Sequence, residues 1–161
     1  MTLTMPRLMT ALICACTLSF ASYPAHAVPQ NPDDWAKNME AAFRTGKLIT
    51  IGKLMDQAVD DHDPGEAKRA HQIIADNIRM MTESFGKEGP GCAELFDTRR
   101  IGSFFRRYDF AVCNGTERIF FRFDLVRREK LGWLLRSWQA SENLDKIVNA
   151  PLPGNANYDR E

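Results

Sequence analysis

The stretch "RIFFRFDLVRREKLGWLLRSWQ", residues 118–139, sets arginines among aromatic and aliphatic side chains with a near two-residue rhythm. Guanidinium groups beside rings can take carboxylates or phosphates in paired hydrogen bonds and can lie on ring faces. The preceding "RRIGSFFRRYDFAVCNGT" adds Arg106 and Tyr108, groups suited to orient a ligand in a pocket. "DDHDPGE", residues 60–66, gathers Asp60, Asp61, His62, Asp63 and Glu66, but its spacing fits neither a calcium loop nor a zinc site, so no metal is expected there. His71 reads as a helix-face residue. Asn114-Gly115-Thr116 is formally a glycosylation sequon, moot behind a leader of bacterial character. No motif of nucleophile and base stands in the chain, so no catalytic residue is assigned and no cofactor is expected.

Residues 1–27, "MTLTMPRLMTALICACTLSFASYPAHA", carry one charge at Arg7, an apolar run from Leu8 to Phe20 and a small-x-small close at Ala25-His26-Ala27. This pattern predicts a secretory signal peptide cleaved after Ala27, and a periplasmic or secreted protein starting at Val28. The run breaks at Ser22 and Pro24, short of the ~20 apolar residues of a membrane span. A lipid attached at Cys16, within Ile13-Cys14-Ala15-Cys16, is the minor alternative. Cys92 and Cys113 are then the only cysteines left after the leader, and an oxidising compartment predicts a disulfide between them.

The chain holds 21 basic and 21 acidic residues, so it lacks the basic excess that nucleic acid requires. The charges are unevenly spread: residues 33–66 hold eight acids and four bases, residues 99–136 ten bases and four acids. One domain over 28–148 is expected, with a flexible tail over 149–161.

Asn31-Pro32 with Asp33 and Asp34 opens a first helix that Gly46 stops. Leu48, Ile51, Leu54, Met55 and Ala58 continue at helical spacing, though Gly52 weakens that second helix. Asp63, Pro64 and Glu66 start a third, over about 64–85, closed by Gly86. From residue 93 the period becomes alternating, with strands expected at about 93–101, 103–113, 118–126 and 133–140, and a short last turn through Leu144, Ile147 and Val148. Helices first and strands after predict an α+β domain whose antiparallel sheet packs on the helices.

Asn114-Gly115 as a two-residue hairpin turn predicts a register pairing Phe110 with Ile119, Tyr108 with Phe121 and Arg106 with Phe123 on the core face. The other face pairs Asp109 with Phe120, Arg107 with Arg122 and Phe105 with Asp124. In the last strand Trp133, Leu135, Ser137 and Gln139 are expected on the core face, and Leu134, Arg136 and Trp138 on the other. Arg106, Tyr108, Ser137 and Gln139 thus become pocket candidates. Arg107, Phe120, Arg122, Arg136 and Trp138 become a candidate interaction surface, with a solvated face paired to Asp109 and Asp124 as the plainer reading. A Gly102-Ser103 turn would set Cys92 opposite Cys113 at the cost of Arg99 facing Arg106; a longer turn would move the cysteines to a diagonal.

Three short helices followed by "RRIGSFFRRYDFAVCNGTERIFFRFDLVRREKLGWLLRSWQASENLDKIV" resemble small exported proteins of the cystatin-like α+β superfamily, the nuclear transport factor two-like and ketosteroid isomerase-like group. The resemblance implies a strongly bent sheet of about four strands wrapped around a helix, often with a pocket inside the cone. It covers enzymes, binding modules and assembly subunits alike. The expectation is an exported non-enzymatic module that binds a protein partner, itself or a small ligand, through a sheet-face homodimer or an envelope protein. The alternative is a small pocket enzyme of isomerase or cyclase type using the cone interior.

Overall fold

In the computed structural model, which describes residues 28–86 and 89–149, helices come first and strands follow. Helix α1 spans Pro32–Arg44, α2 Leu48–Gln57 and α3 Pro64–Phe85. The expected leader with Cys14 and Cys16, and the tail beyond Asn149, lie outside the described residues. The Asn31 side chain accepts from the Asp33 amide at 3.0 Å. The Asp63 carboxylate accepts from the amides of Gly65 and Glu66 at 2.7 and 3.1 Å. Each cap satisfies amides that no helical carbonyl can reach, and stabilises its helix by about 1 kcal/mol. Gly52, which propensity counts against α2, is where α2 meets α3: a Cβ there would sit 3.1 Å from Cγ1 of Ile78.

Strands β1 (Ala93–Ile101), β2 (Phe105–Asn114), β3 (Glu117–Arg128) and β4 (Gly132–Ser141) form one antiparallel sheet in the order β1-β2-β3-β4. Helix α1 lies on one face of it, burying Trp35, Met39, Ala42 and Phe43. The Phe43 ring lies 4.9 Å from that of Phe121 and 6.0 Å from that of Phe110, and Trp35 meets Phe123 edge-on at 5.5 Å. Burial of each such ring contributes about 1.5–3 kcal/mol. The Trp35 indole N–H is satisfied by the Leu54 carbonyl at 2.8 Å. The short helix α4, Leu144–Val148, returns against β3 and β4.

The sheet is neither closed nor strongly curled, which corrects the expected cone. The central hairpin keeps one register from Phe105–Val126 to Asn114–Glu117, and the pairing shifts at a single bulge in each edge strand. The hairpin turn is Gly115-Thr116, one position later than the Asn114-Gly115 turn expected, with Gly115 at φ 62°. Phe110 therefore pairs with Phe121, Tyr108 with Phe123 and Arg106 with Leu125, each partner two residues further along than expected. Because a two-residue slip preserves side-chain direction, the core face is unchanged. What changes is the pairing on the other face, where Asp109 now opposes Arg122 and Arg107 opposes Asp124.

Between β1 and β2 the turn takes three residues, Gly102–Phe104, so Arg100 faces Arg106. An extra residue at Phe96 then restores the original offset: Ala93 faces Val112, and Cys92 and Cys113 are joined with α-carbons 5.2 Å apart. The diagonal arrangement attached to a longer turn does not occur, because the bulge absorbs the shift. A second bulge, at Arg136, separates the pairs Leu125–Leu135 and Asp124–Ser137. Trp133 and Leu135 keep the core face as expected, but beyond the bulge the faces exchange. Trp138 packs on the helix side, whereas Ser137 and Gln139 point to the outer face beside Asp124 and Arg122.

Candidate functional site

The outer face of the sheet carries a charged lattice two strands deep. Arg107 donates to both carboxylate oxygens of Asp124 at 2.7 and 2.9 Å. Arg122 does the same to Asp109, both contacts at 2.8 Å. None of the four residues is more than 2% exposed. Forked pairs of this kind satisfy the geometry of both ions, which is what makes burying them tolerable. Ser137 adds a hydroxyl donor to Asp124 at 3.0 Å. Helix α4 packs on β3 and β4: Ile147 is 1% exposed, and Arg99 donates to the Val148 carbonyl at 3.4 Å.

The five residues expected to form an interaction row are therefore dispersed. Arg107 and Arg122 are interior, Phe120 lies half-buried edge-on to Phe96 at 6.0 Å, and Trp138 has moved to the opposite face. Arg136 alone of the five is exposed, at its bulge.

The four pocket candidates also divide between the faces. Arg106 and Tyr108 share the helix side, while Ser137 and Gln139 do not. The Tyr108 hydroxyl donates to Asp33 at 2.7 Å, and Arg100 donates to the other oxygen of the same carboxylate at 3.1 Å. Burial first, then the hydrogen bond to Asp33, pushes the Tyr108 phenol well above its ordinary range. Arg106 lies over the Trp133 ring at 5.0 Å and donates to the carbonyls of Gly102 and Phe105 at 3.0 and 2.8 Å. The Trp35 ring lies 6.4 Å from that of Tyr108 and 5.5 Å from that of Phe123.

Asp33 is the residue that sequence reasoning missed, because it was spent on the charge preference of a helix start. A strand register placing Arg100 with Tyr108 on the helix side would have been the available signal, and that register depends on the three-residue Gly102–Phe104 turn.

His71 bridges two elements, with Nδ1 2.9 Å from Asp56 and Nε2 3.2 Å from Asp61. The Asp56 hydrogen bond is the main cause that raises its pKa above the ordinary 6.5; partial burial opposes it and Asp61 adds to it. The ring lines an open cleft of about 580 Å³ with Asp61, Pro64, Ala67, Lys68 and Gln72. The remaining acids of "DDHDPGE" serve the backbone, Asp60 accepting from the His62 amide at 3.0 Å and Asp63 capping α3.

At the end of the sheet where the chain turns from β1 to β2 and from β3 to β4, apolar side chains face water. Ile101, Phe104 and Leu131 are 37%, 41% and 43% exposed. The Phe104 carbonyl accepts from the Arg127 amide at 2.8 Å, and Ser103, Phe104, Arg127 and Glu129 line a cleft of about 290 Å³. Arg127, Arg128 and Lys130 are exposed beside it. Among the described residues no helix is long and apolar enough to cross a membrane.

No family model matches this chain, and neither a curated protein nor a solved structure matches it.

Proposed function

We propose that the protein is an exported, non-enzymatic interaction module. The observation that carries this reading is the filling of the sheet's helix side by Trp35, Phe43, Phe110, Phe121 and Phe123, where a pocket enzyme would keep a cavity. The disulfide supports export to an oxidising compartment. The order of elements, three helices and then a four-strand meander, supports the resemblance to the cystatin-like superfamily. With the centre of both sheet faces buried, contacts fall to its ends and edges, and the exposed apolar and basic turn end is one of these.

The pocket-enzyme alternative draws on one contact, the Tyr108 hydroxyl on Asp33. That carboxylate is also held by Arg100 and its side chain is 42% exposed, whereas isomerase-type chemistry relies on a desolvated acid. Two measurements separate the readings. A photo-crosslinking amino acid placed at Leu131 in the exported protein is expected to give a discrete product in cells. Thermal melts with apolar ketones or steroids are expected to show no shift; a saturable rise in Tm, with no crosslinked product, would transfer the function to the interior.

A further inference from the structure

We infer that the turn end of the sheet is a docking surface for an anionic phospholipid bilayer; this rests on the interaction-module reading and names its partner. Two hairpin turns present the surface together. Ile101 and Phe104 come from the β1–β2 connection and Leu131 from the β3–β4 connection, and Ser103, Phe104, Arg127 and Glu129 share one cleft between them. Large apolar side chains that two neighbouring turns leave more than a third exposed form a surface of the kind that marks contact sites.

The charges beside it choose the partner. Residues 127–130 carry Arg127, Arg128 and Lys130 against the single acid Glu129, all exposed. The buried bases of the sheet, Arg107 and Arg122, are already neutralised by Asp124 and Asp109. The basic excess of residues 99–136 is thus carried by the remaining side chains. Cations ringing apolar side chains match the boundary between anionic headgroups and acyl chains, where attraction to phosphate and burial of apolar area act together.

The test uses the exported product of the full sequence, purified from a bacterial host with its N-terminus fixed by mass. It is floated with vesicles of phosphatidylglycerol and phosphatidylethanolamine, and separately with phosphatidylcholine alone. The wild type is expected to float with the anionic vesicles and to be released by salt, because a Debye length of about 3 Å at 1 M screens the headgroup attraction. Both the Phe104→Ser/Leu131→Ser variant and the Arg127→Glu/Arg128→Glu variant should weaken binding roughly tenfold or more. Circular dichroism and melting should stay unchanged; because Phe104→Ser alters a turn, Leu131→Ser alone is the control for folding.

Absence of the wild type from the anionic vesicle fraction overturns the inference, as does equal flotation of the folded variants. Self-association abolished by the same variants, without vesicle binding, overturns it in favour of a second copy. A discrete protein crosslinked from Leu131 without flotation overturns the lipid partner but leaves the interaction-module reading standing. Failure of both flotation and crosslinking removes both.

Discussion

Arg122 and Asp109 show how much one cross-strand pair decides. The register read from Asn114-Gly115 set Arg107 against Arg122, whereas shifting the turn by one residue converts that repulsion into two forked ion pairs. The information was present in the sequence: opposite charges favour direct pairing, and only the observed offset gives every buried charge on β2 and β3 a partner. Turn propensity and charge pairing competed, and pairing decided because the groups are interior. Replacing Arg122 with Ala should cost about 3–5 kcal/mol in urea unfolding, since Asp109 would be left buried and alone. Replacing both with apolar residues of similar volume should recover most of that loss. His71 belongs to the opposite regime, half open to water. Its folded pKa lies above the unfolded 6.5, so its contribution is full below pH 6.5 and disappears as pH rises through the folded value. Solvent screening keeps the effect under about 1 kcal/mol. Melts across this window, compared with His71→Gln, should show the wild-type advantage only on the acid side.

The helices were legible because capping chemistry and apolar spacing agree at both ends of α1 and α3. Strand existence was equally legible from the alternating period. Strand facing was not, because each bulge moves every later side chain to the other face while leaving composition untouched. Phe96 and Arg136 carry no special residue type to announce them. The consequence is plain at Ser137 and Gln139, which lost their place beside Tyr108, and at Trp138, which gained a place in the core. The disulfide survived these errors because the longer turn and the Phe96 bulge cancel. It closes a 21-residue separation between adjacent strands, worth ~3 kcal/mol in the chain-entropy account. Reduction should lower Tm while far-ultraviolet circular dichroism near the helical minima stays close to native, because the bond joins strands. Loss of helical signal at the same reductant concentration, below the melting point, would show that the sheet edge and the helices unfold as one.

Helix α4 settles which surfaces the protein has left to offer. An antiparallel sheet with one face on helices commonly leaves the other to water. Here that face holds buried ion pairs, and a five-residue helix packs on β3 and β4, which the sequence "SENLDKIV" hinted at only through Leu144, Ile147 and Val148. The Asn143 side chain starts the helix by accepting from the Asp145 amide at 2.8 Å. Ile147 is 1% exposed, while Leu144 on the same short helix is 42% exposed. Ile147→Ala should therefore destabilise by about 2–5 kcal/mol, because it removes the burial of a side chain that is 1% exposed and leaves a cavity. Leu144→Ala should change stability by less than about 0.5 kcal/mol. Urea denaturation of the two variants checks the contrast. Hydrogen exchange adds a sharper test: in Ile147→Ala the amides of β3 and β4 should exchange faster than those at the β1–β2 pairing, since those are the strands on which α4 packs. Equal stability of the two variants would mean that the burial of Ile147 does not hold α4 to the sheet.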